Sequence, residues 1–171
     1  MSENYIVING KKAELTEEQL KALGIEVEEK RKNPFERVMV GEDYYIIDIV
    51  DNVSNSEERE DRFDNVRFDH VNYFNDKAFA KQVALHQLLY RKLLKFAWEH
   101  DLIRLTEDID ICDSKTVPWV VQYYLEPKCF TSSPTIIPSP IDVLFKTEDA
   151  ADAAIEEVVK PFVKEHPDFV W

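Results

Sequence analysis

Phe74-Asn75-Asp76-Lys77-Ala78-Phe79-Ala80-Lys81-Gln82-Val83 returns in altered form, without a gap, as Phe145-Lys146-Thr147-Glu148-Asp149-Ala150-Ala151-Asp152-Ala153-Ala154. Each copy sets an aromatic at a strand end, a capping residue shortly after it (Asp76, Thr147) and then a small alanine (Ala80, Ala151). A capping oxygen takes up the free N–H groups of a first helical turn, and alanine lets a helix lie close to a sheet. The echo predicts two similar strand-to-helix units and so an α+β fold: antiparallel sheet segments packed by one long central helix and a C-terminal helix.

From the first copy, a helix capped by Asn75 or Asp76 runs to about His100. Its apolar residues, among them Phe79, Val83, Leu85, Leu88, Leu89, Leu93, Phe96 and Trp98, occupy more than one face, which predicts cover on two sides. Upstream, Arg37–Val40, a turn at Gly41–Asp43 and Tyr44–Val50 form a strand-turn-strand pattern. Asp51–Asn65 lacks apolar periodicity and predicts a long solvated loop or partly disordered insertion, with a strand resuming at Val66–Val71. Downstream, Ile103–Ile111 alternates as a strand would, and Pro118–Leu125 is a second strand. The prolines between Pro127 and Pro140 indicate an extended loop or edge-strand excursion. Val143–Phe145 leads into a helix capped by Thr147 and ending near Glu165, with a kink or break at Pro161. At the N-terminal end, Tyr5–Ile8, Asn9-Gly10 and Lys11–Ala13 form a hairpin. Thr16-Glu17-Glu18-Gln19 is a capping box for a short helix before Gly24. The chain divides on this basis into residues 1–33 (hairpin and short helix), 34–126 (central α+β domain with the long helix) and 127–171 (proline-rich loop, strand and C-terminal helix).

The 171 residues are 44% hydrophobic, enough for a packed core. No stretch approaches the roughly 18 unbroken apolar residues of a membrane span, and Met1-Ser2-Glu3-Asn4 opens no signal segment, so a cytoplasmic protein is expected. Three glycines, Gly10, Gly24 and Gly41, cannot assemble a phosphate-binding loop. Cys112 and Cys129 form no Cys-x-x-Cys pair, and the four histidines, His70, His86, His100 and His166, show no His-Glu-x-x-His spacing. His86, inside the long helix, is expected to be a packed or hydrogen-bonded core residue. Asp108, Asp110 and Asp113 are the best metal candidate, but the segment has neither the glycine nor the terminal glutamate of an EF-hand loop. No catalytic residue, metal or cofactor is therefore assigned, and the chain is expected not to be an enzyme.

The strongest global signal is charge: 34 acidic against 21 basic residues, a net −13. Such a surface repels bare nucleic acid and favours basic partners. Two clusters carry it. Glu57, Glu58, Glu60, Asp61 and Asp64 lie in the central segment, and Glu148, Asp149, Asp152, Glu156 and Glu157 lie along the last helix. On that helix Asp149, Asp152 and Glu156 share a stripe that can imitate phosphate spacing in a basic groove, while an ordinary solvated face is the alternative. The basic side of the long helix, Lys77, Lys81, Arg91, Lys92 and Lys95, is too small a patch for direct nucleic-acid binding to be expected.

Pro34-Phe35-Glu36-Arg37, Gly41-Glu42-Asp43-Tyr44-Tyr45-Ile46 and Asn72-Tyr73-Phe74-Asn75-Asp76-Lys77 with Ala80 resemble small accessory proteins of phages and mobile elements of Gram-positive gut bacteria. Their pattern is a Gly-Glu-x-Tyr-Tyr hairpin, a charged loop and Asn-x-Phe-x-Thr opening a helix. Here Asn75-Asp76 replaces the usual threonine, and the helix is more apolar. Some of these proteins look like anti-CRISPR inhibitors. The resemblance implies an inhibitor that binds a host CRISPR effector protein, of the type II single-protein kind and guide-loaded or not, and blocks its binding or cleavage of DNA through acidic surface. The alternative it leaves is a phage structural or replication accessory protein without catalytic activity.

Overall fold

Tyr5–Ile8 (β1) and Lys11–Glu14 (β2) pair antiparallel, in register from Tyr5↔Glu14 to Ile8↔Lys11. This hairpin belongs to the first of two units into which the chain divides, Met1–Asn33 and Pro34–Trp171. The computed structural model describes residues 5–8, 11–14, 19, 22–23, 33–100, 117–136, 139 and 142–171. The Asn9-Gly10 turn, Thr16–Glu18 of the capping box, the strand expected at Ile103–Ile111, Cys112 and the metal candidates Asp108, Asp110 and Asp113 lie outside them.

The second unit is α+β and opens with a hairpin displaced from the expected place. Asp43–Ile47 (β3) pairs antiparallel with Val53–Glu57 (β4), from Asp43↔Glu57 to Ile47↔Val53. Arg37–Val40 is not a strand; Gly41, at φ +89°, turns the chain, and its N–H donates to the Glu58 carbonyl at 2.9 Å. The Asp51–Asn65 run is thus not one solvated loop. It contains β4, whose Val-Ser-Asn-Ser-Glu sequence is polar because most of the strand faces water. It also contains the start of Arg62–Asp69 (α1), which replaces the strand expected at Val66–Val71. The capping box of α1 is made by two aspartates. Asp61 accepts from the Phe63 and Asp64 N–H groups at 2.6 and 3.0 Å, and Asp64 accepts in return from the Asp61 N–H at 3.2 Å.

Phe74 then forms an antiparallel bridge to Tyr45 through two backbone hydrogen bonds of 2.7 and 2.9 Å. The long helix Lys77–Glu99 (α2) starts at Asp76, which accepts from the Ala78 and Phe79 N–H groups at 2.8 and 3.0 Å. Ala80 is fully buried, and α2 packs against β3 and β4. The second copy repeats each step. Trp119–Tyr124 (β5) pairs antiparallel with Cys129–Pro134 (β6), so much of the proline-rich stretch is an edge strand closed by Pro134. Phe145 bridges to Trp119 through two hydrogen bonds of 2.8 Å. Thr147 caps Glu148–Ala154 (α3) by accepting from the Ala150 N–H at 3.2 Å, and Ala151 is fully buried where α3 packs against β5 and β6.

Pro161 does not end the C-terminal helical run. Ile155–Val159 forms a π turn, closed by the Lys160 N–H donating to the Ile155 carbonyl, and Lys160–Glu165 (α4) continues from it. The wider turn accommodates the missing proline N–H with helical backbone throughout. Leu85, Leu89, Leu93, Phe96 and Ala97 of α2 join Phe145, Ala151, Ala154, Val159 and Phe162 in one core, so residues 127–171 share their interior with the rest of the unit. α2 is covered as its two apolar faces predict, except that Trp98 is exposed. His86 is also exposed and not in the core. Its Nε2 meets the Val170 carbonyl at 2.8 Å, and its ring packs on Phe169.

Candidate functional site

The two acidic clusters of the sequence meet different fates. In the central cluster, Glu58 and Asp64 face inward at 0% and 2% exposure, so neither presents a carboxylate to a partner. Glu58 accepts from Arg37 Nε at 3.1 Å and Nη2 at 2.9 Å, from the Tyr73 hydroxyl at 2.6 Å and from the Glu60 N–H at 2.7 Å. Asp64 accepts from the Tyr44 hydroxyl at 2.6 Å and from the Arg59 N–H at 2.8 Å. The Tyr44 hydroxyl accepts in turn from Arg67, which also donates to Ser56 Oγ at 2.8 Å. Tyr44 and Tyr73 stack with ring centroids 3.9 Å apart, joining the two carboxylate nests into one network.

The network sets its own protonation. The Arg37 hydrogen bonds hold the Glu58 carboxyl below its usual range, against the opposing effect of burial. Burial is the largest influence on Asp64 and pushes it up. The Tyr44 hydroxyl and the backbone N–H groups of Arg59 and Asp61 outweigh it, with the Arg67 charge adding, so the net direction is down. Burial, and then the Glu58 carboxylate, push the Tyr73 hydroxyl up, so it remains a donor. Every buried polar side-chain atom among the described residues has a partner. This constellation is structural: it fastens α1 to the β3–β4 hairpin. What remains outward from the cluster is Glu57, Glu60 and Asp61, with Glu57 3.5 Å from Arg59 and Asp61 spent on its cap.

The C-terminal cluster behaves otherwise. Glu148, Asp149, Asp152, Glu156 and Glu157 are all exposed, because Ala151, Ala154, Ile155, Val159 and Phe162 turn the opposite side of the same helical run into the core. Glu156 pairs with Lys160, whereas Glu148, Asp149, Asp152 and Glu157 have no partner among the described residues. Glu148 and Asp149 sit in the first turn, where the helix dipole favours them. The π turn holds Glu156 and Glu157, so the stripe departs there from regular helical spacing.

The basic side of α2 is largely neutralised. Lys81 pairs with Asp168, Arg91 with Asp51 and Lys95 with Glu99, while the Lys92 ammonium lies 6.0 Å from the centre of the Phe162 ring. Two concavities flank this helix. One, of about 450 Å³, lies between the β3–β4 turn and α2 and is lined by Ile47, Asp48, Asp51, Val71 and Arg91 among others. The other, of about 610 Å³, is more apolar and runs between α2 and β5, with Leu89, Val120 and Phe145 below and Trp171 at its edge. Among the described residues, neither lining includes a serine, cysteine or lysine. No helix of the described residues is long and apolar enough to cross a membrane. Compared with known proteins, the chain matches no protein-family model, no curated protein and no solved structure.

Proposed function

We propose that this chain is a non-catalytic binding protein whose acidic C-terminal helix docks on a basic groove of a partner protein that handles nucleic acid. One observation carries the reading: Glu148, Asp149, Asp152 and Glu157 stand unpaired among the described residues, on a helix whose other face is locked in the core. A rigid row of uncompensated carboxylates presents its charge without a conformational cost on binding, and complementarity of that kind accelerates encounter and selects partners. The resemblance to phage accessory proteins names the partner to test first, a type II CRISPR effector protein inside the bacterial host, whose DNA channel is basic.

The experiment is a pull-down of the full chain against purified guide-loaded effectors, followed by DNA-binding and cleavage assays at two salt concentrations. The Asp149→Lys, Asp152→Lys, Glu156→Lys triple variant leaves the buried face untouched, so it keeps the wild-type circular dichroism and loses binding at least tenfold if the row is the contact. Undiminished binding by the folded triple variant refutes the acidic-helix contact. Indifference to every effector, together with a defined oligomer in sedimentation, replaces the inhibitor reading with that of a phage structural or replication accessory protein.

A further inference from the structure

The cavity between the β3–β4 turn and α2 combines three features that the fold itself does not use. First, two apolar side chains stand solvated on a largely polar rim: Ile49 is 102% exposed and Val71 59%. Second, Val71 has φ +57°, the left-handed region that β-branched residues avoid, and its exposed side chain gains little burial in exchange. Glycine or asparagine would suit the chain path better. Third, the wall carries unbalanced charge. Asp51 is paired with Arg91 at 2.5 Å, but Asp48 uses only one oxygen, Oδ1, to accept from the Val50 and Asn52 N–H groups at 2.9 Å each, which leaves Oδ2 without a partner among the described residues. The walls are also preset. The Asn72 side chain clamps Ile47 from both sides, accepting from its N–H at 2.8 Å and donating to its carbonyl at 2.9 Å.

We propose that this cavity is the socket for an arginine or lysine side chain projecting from the basic partner surface, an inference that rests on the partner class argued above. The aliphatic stem of such a residue would lie on Ile49 and Val71, and its cationic head would reach Asp48 Oδ2, as long basic side chains divide between apolar and polar surroundings. The volume of about 450 Å³ admits one such side chain. Val71 keeps its unfavourable backbone because the rim contact needs a branched apolar group at that point, a trade of stability for binding.

The test uses the full chain, labelled with ¹⁵N, and the blocked peptide acetyl-Gly-Arg-Gly-Arg-Gly-Arg-amide at low ionic strength. The expected result is a set of amide shifts at residues 47–52 and 70–72. Asp48→Asn retains the Oδ1 acceptor and hence the turn, and should weaken the peptide about tenfold. Val71→Gly should weaken the peptide while raising Tm by about 3 °C, a combination that a purely structural role would not give. Shifts confined to residues 148–157 overturn the socket and leave the basic-partner reading standing, and shifts nowhere overturn both. Wild-type affinity in both variants also refutes the socket.

Discussion

Replacing Glu58 by glutamine tests whether the buried network fastens the second unit. Four hydrogen bonds converge on the carboxylate, from Arg37 Nε and Nη2, the Tyr73 hydroxyl and the Glu60 N–H. An amide has a single oxygen, so at most one half of that set survives, and its NH₂ group turns toward a donor on the other side. Charge-assisted bonds are worth about 1.5–3 kcal/mol each, and breaking a buried ion pair costs about 3–5 kcal/mol. Arg37 is 32% exposed and recovers some hydration, so the lower end applies, about 3 kcal/mol. That is a large part of a typical stability of roughly 5–15 kcal/mol and changes the folded-to-unfolded ratio roughly 150-fold. In urea titration followed by circular dichroism, a slope of about 2 kcal/mol per molar puts the midpoint about 1.5 M lower. Glu57→Gln, on the exposed neighbour, serves as control and should move stability by less than about 0.5 kcal/mol. The gap between wild type and Glu58→Gln also depends on pH. The folded-state carboxyl lies below its unfolded value, so its contribution is complete above the ordinary carboxylate range and disappears as pH falls through the folded-state value. A loss under about 1 kcal/mol at neutral pH, or a gap that grows with acid, refutes the argument.

Two further expectations test the repeated unit. Asp76→Ala and Thr147→Ala each remove one helix cap and should each cost about 1 kcal/mol; because the caps serve separate helices, the double variant should lose about the sum in denaturant titration. Ala80→Leu and Ala151→Leu place a large side chain at positions that are 0% exposed. Each should lower stability by about 1–3 kcal/mol or more, visible as a fall in Tm, and a neutral result at either site would show that its helix is free to stand off from the sheet.

What could be read from the sequence was local, and what could not was tertiary. Asp76 and Thr147 announce their helices because a cap acts within one turn, and the aromatic and β-branched residues of β5 announce a strand for the same reason. Val53–Glu57 gives no such signal, because its outward polar residues look like a loop until Asp43–Ile47 pairs with them. α1 was hidden more deeply. Its inward contact is made by Asp64 and its Phe63 is 71% exposed, so apolar periodicity points the wrong way. Within the candidate site, the exposed carboxylates of the last helix follow from the alanines and aliphatic residues opposite them. The inward turn of Glu58 does not, since its partners Arg37 and Tyr73 come from distant parts of the chain. The one available hint was the presence of hydroxyl-bearing aromatics, Tyr44 and Tyr73, where phenylalanine would have served an apolar core. The left-handed conformation of Val71 has no signature in sequence at all.

The inverted attachment of α1 gives the second unit two kinds of cohesion that respond to different conditions. The interface between α2 and the C-terminal helical run is apolar, so cooling weakens it, while acid acts on it only indirectly. The seat of α1 is ionic and hydroxylic, so protonating Glu58 and Asp64 loosens it, while cooling spares it. Acid below the ordinary carboxylate range would therefore release α1 as a separate cooperative segment while the helical core holds, and the exposed Phe63 and Val66 would leave the hairpin with it.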